Sequence, residues 1–241
     1  MSLDIGSAIR NGAERTVKRN GLIIAGLLFT VSILSTVFSN SLIQGMLDEG
    51  IIPSEYAMET VPLALGLSTA ASSVLLFATM TVSAVVGIGV LRTFVSAETE
   101  KLPLENFTRN VVMALLNLIV GGIAYAVILT VGFLAFVIPG FFLLVSLYFW
   151  NIFVIVEDQN FIEAFKSSWN LTKGNRLELF GLGVLVVIAA MIFGAVFSLA
   201  GGLLELAAGA TIATIFEQIP NAFISAFSVA TLAQAYNQLK E

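Results

Sequence analysis

The chain has 241 residues, of which 58% are hydrophobic and 11% are charged. A soluble domain carries about a quarter charged residues because its surface must be hydrated, so this composition favours a protein embedded in lipid. Cysteine and histidine are absent, which excludes disulfides, thiolate or imidazole metal sites, and hydrolases with a histidine base. The net charge of −5, without a basic stripe, does not support nucleic-acid binding. We therefore predict no nucleic-acid partner, no cofactor and no metal.

Six apolar runs are long enough to cross a bilayer, whose hydrocarbon core requires about 20 helical residues. We predict an all-α polytopic membrane protein, with residues 1–241 forming a single membrane domain. Pro139 and Gly140 predict a tight turn between the third and fourth spans, since both residues disfavour helix continuation. The predicted spans are residues 22–43, 62–91, 111–137, 141–156, 178–199 and 211–236.

The eleven lysine and arginine residues all fall at the termini or in alternate loops. The other loops carry no lysine or arginine, and all their charged residues are acidic. Because lysine and arginine are retained on the cytoplasmic side of short loops, this distribution predicts a plasma-membrane protein with both termini in the cytoplasm. The acidic residues of the opposite loops are Asp48, Glu49, Glu55, Glu59 and Glu205.

Two cytoplasmic segments, residues 3–19 and 161–173, have the pattern of amphipathic helices. In the second, Asn160 and Glu163 have the spacing of a capping box. Such helices lie at the membrane interface with their apolar face in the acyl boundary. The predicted interfacial anchors of the second helix are Phe161, Phe165 and Trp169.

The two amphipathic segments also resemble each other in sequence. Placing Ala8 over Ala164 puts Thr16 over Thr172, and a membrane span follows each segment. Residues 104–110 form a candidate third, truncated copy. The pattern favours three units, each with one cytoplasmic helix and one membrane hairpin; the alternative is chance similarity between short segments.

A family resemblance rests on three features in the middle of the chain. The sequence IPGFF at residues 138–142 is followed by Glu157 and then by residues 164–174, which end in SWNLTKG. This order resembles a widespread membrane family of bacteria and archaea, which includes the membrane domain found ahead of some glycerophosphoryl diester phosphodiesterases. The resemblance implies a six-span fold and a membrane location. It implies no activity, because the phosphodiesterase chemistry belongs to a separate soluble domain that we do not expect here.

Glu217 is the sharpest candidate for a functional side chain, because it falls within the last predicted span. A carboxylate inside the membrane is costly and is a functional hypothesis by default. Pro220 frees a backbone carbonyl one turn earlier, which favours a polar pocket. Asn117 and Asn151 either line a polar path with Glu217 or form hydrogen bonds that pack helices together. The alternative for Glu217 is a position at the outer membrane interface.

Small residues on the fifth span predict close helix contact. The candidate seam consists of Gly181, Gly194 and Ser198. The contact is either with another helix of the same chain or with a second copy of the protein. The spacing alone leaves both interpretations open.

We predict a non-enzymatic membrane scaffold or accessory subunit whose partners are the lipid bilayer and either a second copy or another membrane protein. The first alternative is a small transporter or channel with Glu217 in a polar path. The second is an interfacial lipid-modifying enzyme that uses Glu157, Asp158 or Glu178 as its base.

Overall fold

The computed structural model describes residues 3–53, 55 and 61–241, and these residues form helices and connecting loops without a β-strand. Glu59, one of the predicted outer-loop acids, lies outside the described residues. The helices are α1 (Ile5–Val17), α2 (Arg19–Asp48), α3 (Thr69–Val95), α4 (Glu105–Thr108), α5 (Val111–Ala135), α6 (Val137–Ser146), α7 (Trp150–Val156), α8 (Phe161–Leu171), α9 (Arg176–Ala208) and α10 (Ala210–Lys240).

Six helical segments of the described chain are long and apolar enough to cross a membrane. Five are the single helices α2, α3, α5, α9 and α10, and the sixth is Val137–Val156, which joins α6 and α7. The predicted all-α fold with six membrane-length helices is therefore confirmed. Their length and composition are those of a multi-pass membrane protein.

The second span begins later than predicted. Residues 61–68 are not helical, and α3 begins at Thr69 instead of residue 62. Leu63 and Gly66 both have φ of +63°, outside the helical region. The segment is also tied to α2, because Asn40 donates a hydrogen bond to the Pro62 carbonyl. These contacts give an apolar stretch a non-helical conformation.

The break between the third and fourth spans lies at Phe136, so the predicted turn at Pro139 and Gly140 is wrong. Phe136 is extended, with φ −165° and ψ 153°, and α6 begins at the next residue. Pro139 occupies the first turn of α6, where a missing backbone N–H costs little. Gly140 instead permits close helix packing, since it lies against the Phe133 ring and 3.3 Å separates its Cα from an added β-carbon at Gly132.

The chain divides into two compact units. Unit 1 comprises Met1–Ile23, Gly87–Ala189 and Ala226–Glu241, and unit 2 comprises Ile24–Val86 and Ala190–Ser225. The hydrophobic core of unit 1 is built mainly from α7 and the residues around it, including Phe149, Ile152, Phe153 and Tyr236. The single membrane domain stays a prediction.

Helices α1 and α8 begin at corresponding positions when Ala8 is placed over Ala164. Asp4 accepts the backbone N–H of Ser7 at the start of α1, and Asn160 accepts those of Ile162 and Glu163 at the start of α8. These two N-caps are separated by the same offset that aligns the two helices in sequence. Both helices also bury the aligned pairs Ala8 and Ala164, and Thr16 and Thr172.

Within unit 1, each short helix packs on the second long helix of a neighbouring hairpin. Helix α4 contacts α3, α8 contacts α6, and α1 contacts α10, so the three contacts close a circuit. This arrangement supports the predicted three-unit repeat. Each repeat unit, which consists of one short helix and one membrane hairpin, packs its short helix on one neighbouring repeat unit and contacts the short helix of the other. The contacts are made by Phe107 against Gly89, by the Ser168 hydroxyl on the Ser146 carbonyl, and by Gly12 against Thr231.

Candidate functional site

A small cavity of about 170 Å³ surrounds Glu217 in unit 2. Glu217, Pro220 and Asn221 all come from α10, which continues through the proline. Glu217 is partly buried, and the cavity lies beside Pro220. The lining residues are Gly194, Phe197, Ser198, Glu217, Pro220 and Asn221.

The cavity exists because helix α9 presents small residues towards α10. A β-carbon at Gly201 would lie 2.7 Å from Oε1 of Glu217, so the carboxylate occupies space that any larger residue would take. A β-carbon at Gly194 would meet no atom within 4 Å. Because proline has no N–H, the Phe216 carbonyl also lacks its helical donor beside the cavity. The ion pairs found within the described chain all involve other carboxylates, so the cavity holds an acid without a countercharge.

Asn117 connects two helices of unit 1. Its Nδ2 donates to the Met113 carbonyl at 3.0 Å, and its Oδ1 accepts the Phe161 backbone N–H at 3.2 Å. Asn117 thus caps the first turn of α8 and acts as a packing contact. Asn151 accepts the N–H of Ile152 at 3.0 Å. Both asparagines belong to unit 1 and Glu217 to unit 2, and the polar path that would join them stays a prediction.

The predicted small-residue seam divides between the two units. A β-carbon at Gly181 would lie 3.4 Å from Cδ1 of Ile5, so this glycine packs against α1 of the same chain. Gly194 and Ser198 line the Glu217 cavity instead. Gly181 therefore contacts a side chain of the same chain. Contact between copies stays a prediction.

The three predicted interfacial anchors of α8 have different surroundings. The Phe165 ring lies 5.3 Å from Trp150, and Phe161 lies 6.1 Å from Phe165, so both rings contribute to packing within unit 1. Trp169 is 38% exposed and contacts Phe142 edge-on at 5.5 Å. Part of the aromatic face therefore contacts protein rather than the acyl boundary. The membrane depth of α8 stays a prediction.

Arg92 is buried, with 4% of its surface exposed. From the sequence it contributed only to the prediction of which loops are cytoplasmic. Its Nε donates to the Ile155 carbonyl at 2.7 Å, and its Nη1 donates to the carbonyls of Asn106 at 3.2 Å and Arg109 at 2.5 Å. These acceptors lie at the ends of α7 and α4, where carbonyls lack helical donors and favour a positive charge. An arginine in the last turn of an apolar span was the available sequence signal.

Glu157 and Asp158, candidates for an interfacial base, are held in ion pairs. Glu157 contacts Lys240 and accepts a hydrogen bond from the Tyr236 hydroxyl, which ties the end of α7 to α10. Asp158 lies 3.5 Å from Arg92 and 3.6 Å from Arg109. These pairs give both carboxylates a structural role in unit 1.

The N-terminal basic segment also makes structural contacts. Arg15 is buried, and its Nη2 donates to the carbonyls of Thr93 at 3.0 Å and Ser96 at 2.9 Å. Burial lowers the pKa of Arg15, and the Glu98 carboxylate partly offsets this by raising it. Arginine stays charged under such shifts. Arg15 therefore fastens α1 to the end of α3.

The sequence profile of one protein family matches residues 3–239. The chain belongs to that family. It is described as a domain of unknown function, DUF7847. Comparison with curated proteins and with solved structures gives no match. The matched range includes nearly all of unit 1 and the whole of unit 2, with the residues that line the Glu217 cavity.

Proposed function

We propose that the protein is a membrane-embedded scaffold or accessory subunit, with both termini in the cytoplasm. The proposal rests on one observation: the buried arginine side chains of unit 1 bind backbone carbonyls within the protein. Arg15 and Arg92 direct their guanidinium groups at backbone carbonyls and hold helix ends together. Such contacts build a rigid platform, which suits a protein that presents a surface to other chains.

The experiment is purification of the full chain in a mild detergent, followed by measurement of the intact complex mass. We expect a defined homo-oligomer or a stoichiometric complex with a second membrane protein. Gly194→Leu should weaken that assembly if small residues of α9 contact the partner. Gly122→Leu on α5 is the control and should leave the assembly intact. A β-carbon at either glycine meets no atom within 4 Å, so the two substitutions are matched in the space they enter. A monomer in both detergent and nanodiscs, with no bound protein, would contradict the proposal.

A second candidate is a small transporter or channel, which the Glu217 cavity favours. Glu217 and Asn221 of α10 and Ser198 of α9 line one cavity between two membrane-length helices. Among the described residues the acid has no ion-pair partner, as at proton and cation paths in membranes. Glu217→Gln in proteoliposomes should abolish proton flux, read with an internal pH dye, while assembly is retained. Glu205→Gln, an exposed acid on α9, is the matched control. Equal flux in wild type, in Glu217→Gln and in protein-free vesicles would exclude proton transport.

We also propose that this family is bacterial or archaeal and is related to the membrane domain of glycerophosphoryl diester phosphodiesterases. Support comes from the sequence of residues 138–142, Glu157 and residues 164–174. In this protein the first segment begins α6, and Glu157 binds the end of α10. A structure of that membrane domain should show an extended residue ahead of the Pro-Gly pair and the same acid bound to its last helix. A different helix order there would overturn the relationship.

A further inference from the structure

A cavity of about 420 Å³ lies in unit 1, apart from the Glu217 site. Its volume falls in the range of small-molecule sites in proteins. The walls are apolar except for two exposed polar residues, Lys166 and Asn170. The full lining consists of Ile128, Leu143, Leu147, Phe165, Lys166, Trp169 and Asn170.

The walls of the cavity come from two different environments. Ile128 belongs to α5 and Leu143 to the segment Val137–Val156, and both segments are long and apolar enough to cross a membrane. Lys166 and Asn170 belong to the amphipathic helix α8. The cavity thus joins apolar walls of spanning helices to a polar edge on α8, which matches the two ends of a phospholipid.

A second cation is attached to the wall of the same cavity. The Arg176 guanidinium lies 4.6 Å from the ring centre of Trp169 and 4.5 Å from that of Phe142. Its Nη2 donates to the Trp169 carbonyl at 3.3 Å. Its buried Nε has no hydrogen-bond partner in the part of the chain that the structure describes. The two aromatic rings therefore position the Arg176 guanidinium beside the cavity wall. The Nε atom is buried and closed to a ligand, so contact with a phosphate falls to the terminal nitrogens.

Neither cation forms an ion pair with a carboxylate within residues 3–53, 55 and 61–241. The ion pairs found there involve Arg92, Arg109 and Lys240 instead. Basic pockets between membrane helices on the cytoplasmic side recognise anionic lipid headgroups. Lys166 on the cavity wall and Arg176, which stacks on Trp169 of that wall, thus provide positive charge for a phosphate.

We propose that this cavity binds an anionic phospholipid, with one acyl chain between α5, α6 and α8 and its phosphate at Lys166 and Arg176. The acyl chain fills apolar space, and the phosphate accepts charge-assisted hydrogen bonds. A zwitterionic lipid offers the same chain without net negative charge, so it binds more weakly. The site does not depend on whether the protein is a scaffold or a transporter, but its place on the cytoplasmic side rests on the proposed orientation.

The first test titrates delipidated full-length protein with phosphatidylglycerol or phosphatidylcholine of identical acyl chains and reads bound lipid by native mass spectrometry. We expect one phosphatidylglycerol per chain at concentrations that leave phosphatidylcholine largely unbound. Lys166→Gln and Arg176→Gln should each weaken phosphatidylglycerol binding about fivefold. Lys173→Gln is the control, because this exposed lysine lies between α8 and α9 and does not line the cavity.

The second test fills the cavity. Ile128→Trp should remove binding of both lipids, whereas Ile123→Trp, on an exposed face of the same helix, should not. Gel filtration and helical circular dichroism verify that each variant is folded. Equal binding of the two lipids, or wild-type binding by either the charge variants or Ile128→Trp, would overturn the proposal. Because Lys166 is exposed, its variant remains informative even if Ile128→Trp does not fold.

Discussion

The carboxylate of Glu217 rests against the backbone of Gly201, where an added β-carbon would lie 2.7 Å from Oε1 and 3.1 Å from Cγ of the acid. This contact places the acid of α10 directly on α9 beside the unit 2 cavity. Because the closest atoms belong to a flexible side chain, a methyl group at position 201 displaces the carboxylate rather than the helices. A substitution at Gly201 should therefore move the Glu217 carboxylate while residue 217 itself stays unchanged.

We predict that Gly201→Ala preserves the fold and raises the labelling of Glu217 by a hydrophobic carbodiimide severalfold, because the carboxylate loses its cover on α9. Mass spectrometry of the labelled peptide measures the effect. Gly202→Ala is the control, since a β-carbon there meets no atom within 4 Å. Unchanged labelling in Gly201→Ala would show that the carboxylate does not lie on this glycine.

Replacing Arg92 should destabilise unit 1 strongly. Arg92→Met leaves the carbonyls of Ile155, Asn106 and Arg109 without their donor, and hydrogen bonds from charged groups contribute about 1.5–3 kcal/mol each. We expect a loss of about 3 kcal/mol in the free energy of unfolding, measured by reversible denaturation in mixed micelles. Arg109→Met should cost about 1 kcal/mol or less, because that side chain is 49% exposed. Similar losses in the two variants would contradict the capping role of Arg92.

The contact between α1 and α10 should be intolerant of one methyl group. A β-carbon at Gly12 would lie 2.8 Å from Cα and 2.9 Å from N of Thr231, and backbone atoms cannot move aside locally. We expect Gly12→Ala to cost about 1–3 kcal/mol of stability, seen as a lower unfolding temperature in detergent. Gly6→Ala on the same helix meets only Asp4 Oδ1 at 3.4 Å and should leave that temperature unchanged. A neutral Gly12→Ala would mean that α1 does not pack on Thr231.

The proposed orientation is testable without background, because the chain contains no cysteine. Glu49→Cys and Ala207→Cys should react with an impermeant maleimide on intact cells, since both precede outer loops in the proposed topology. Glu100→Cys and Glu163→Cys should react only after the cells are permeabilised. All four residues are exposed. The reverse labelling pattern would place both termini outside, and labelling of all four on intact cells would exclude six spans.

Local signals in the sequence determined the number of membrane-length helices and the start of α8. Each span is a continuous apolar run, and a cap such as Asn160 acts on residues two or three positions away. The break at Phe136 and the start of α3 at Thr69 depended instead on contacts between segments. Gly140 packs against Phe133, and Asn40 of α2 binds the Pro62 carbonyl.

The candidate sites show the same division. Glu217, Pro220 and Asn221 share one helix, so the sequence alone indicated that they lie close together on α10. Tertiary packing decided which residues of α9 complete that pocket and which carbonyls accept hydrogen bonds from Arg92. The cavity lined by Lys166 and Trp169 is the extreme case, because α5, α6 and α8 each supply only part of its wall. Periodicity describes one helix at a time, whereas a cavity is defined by the space between helices, which only their packing fixes.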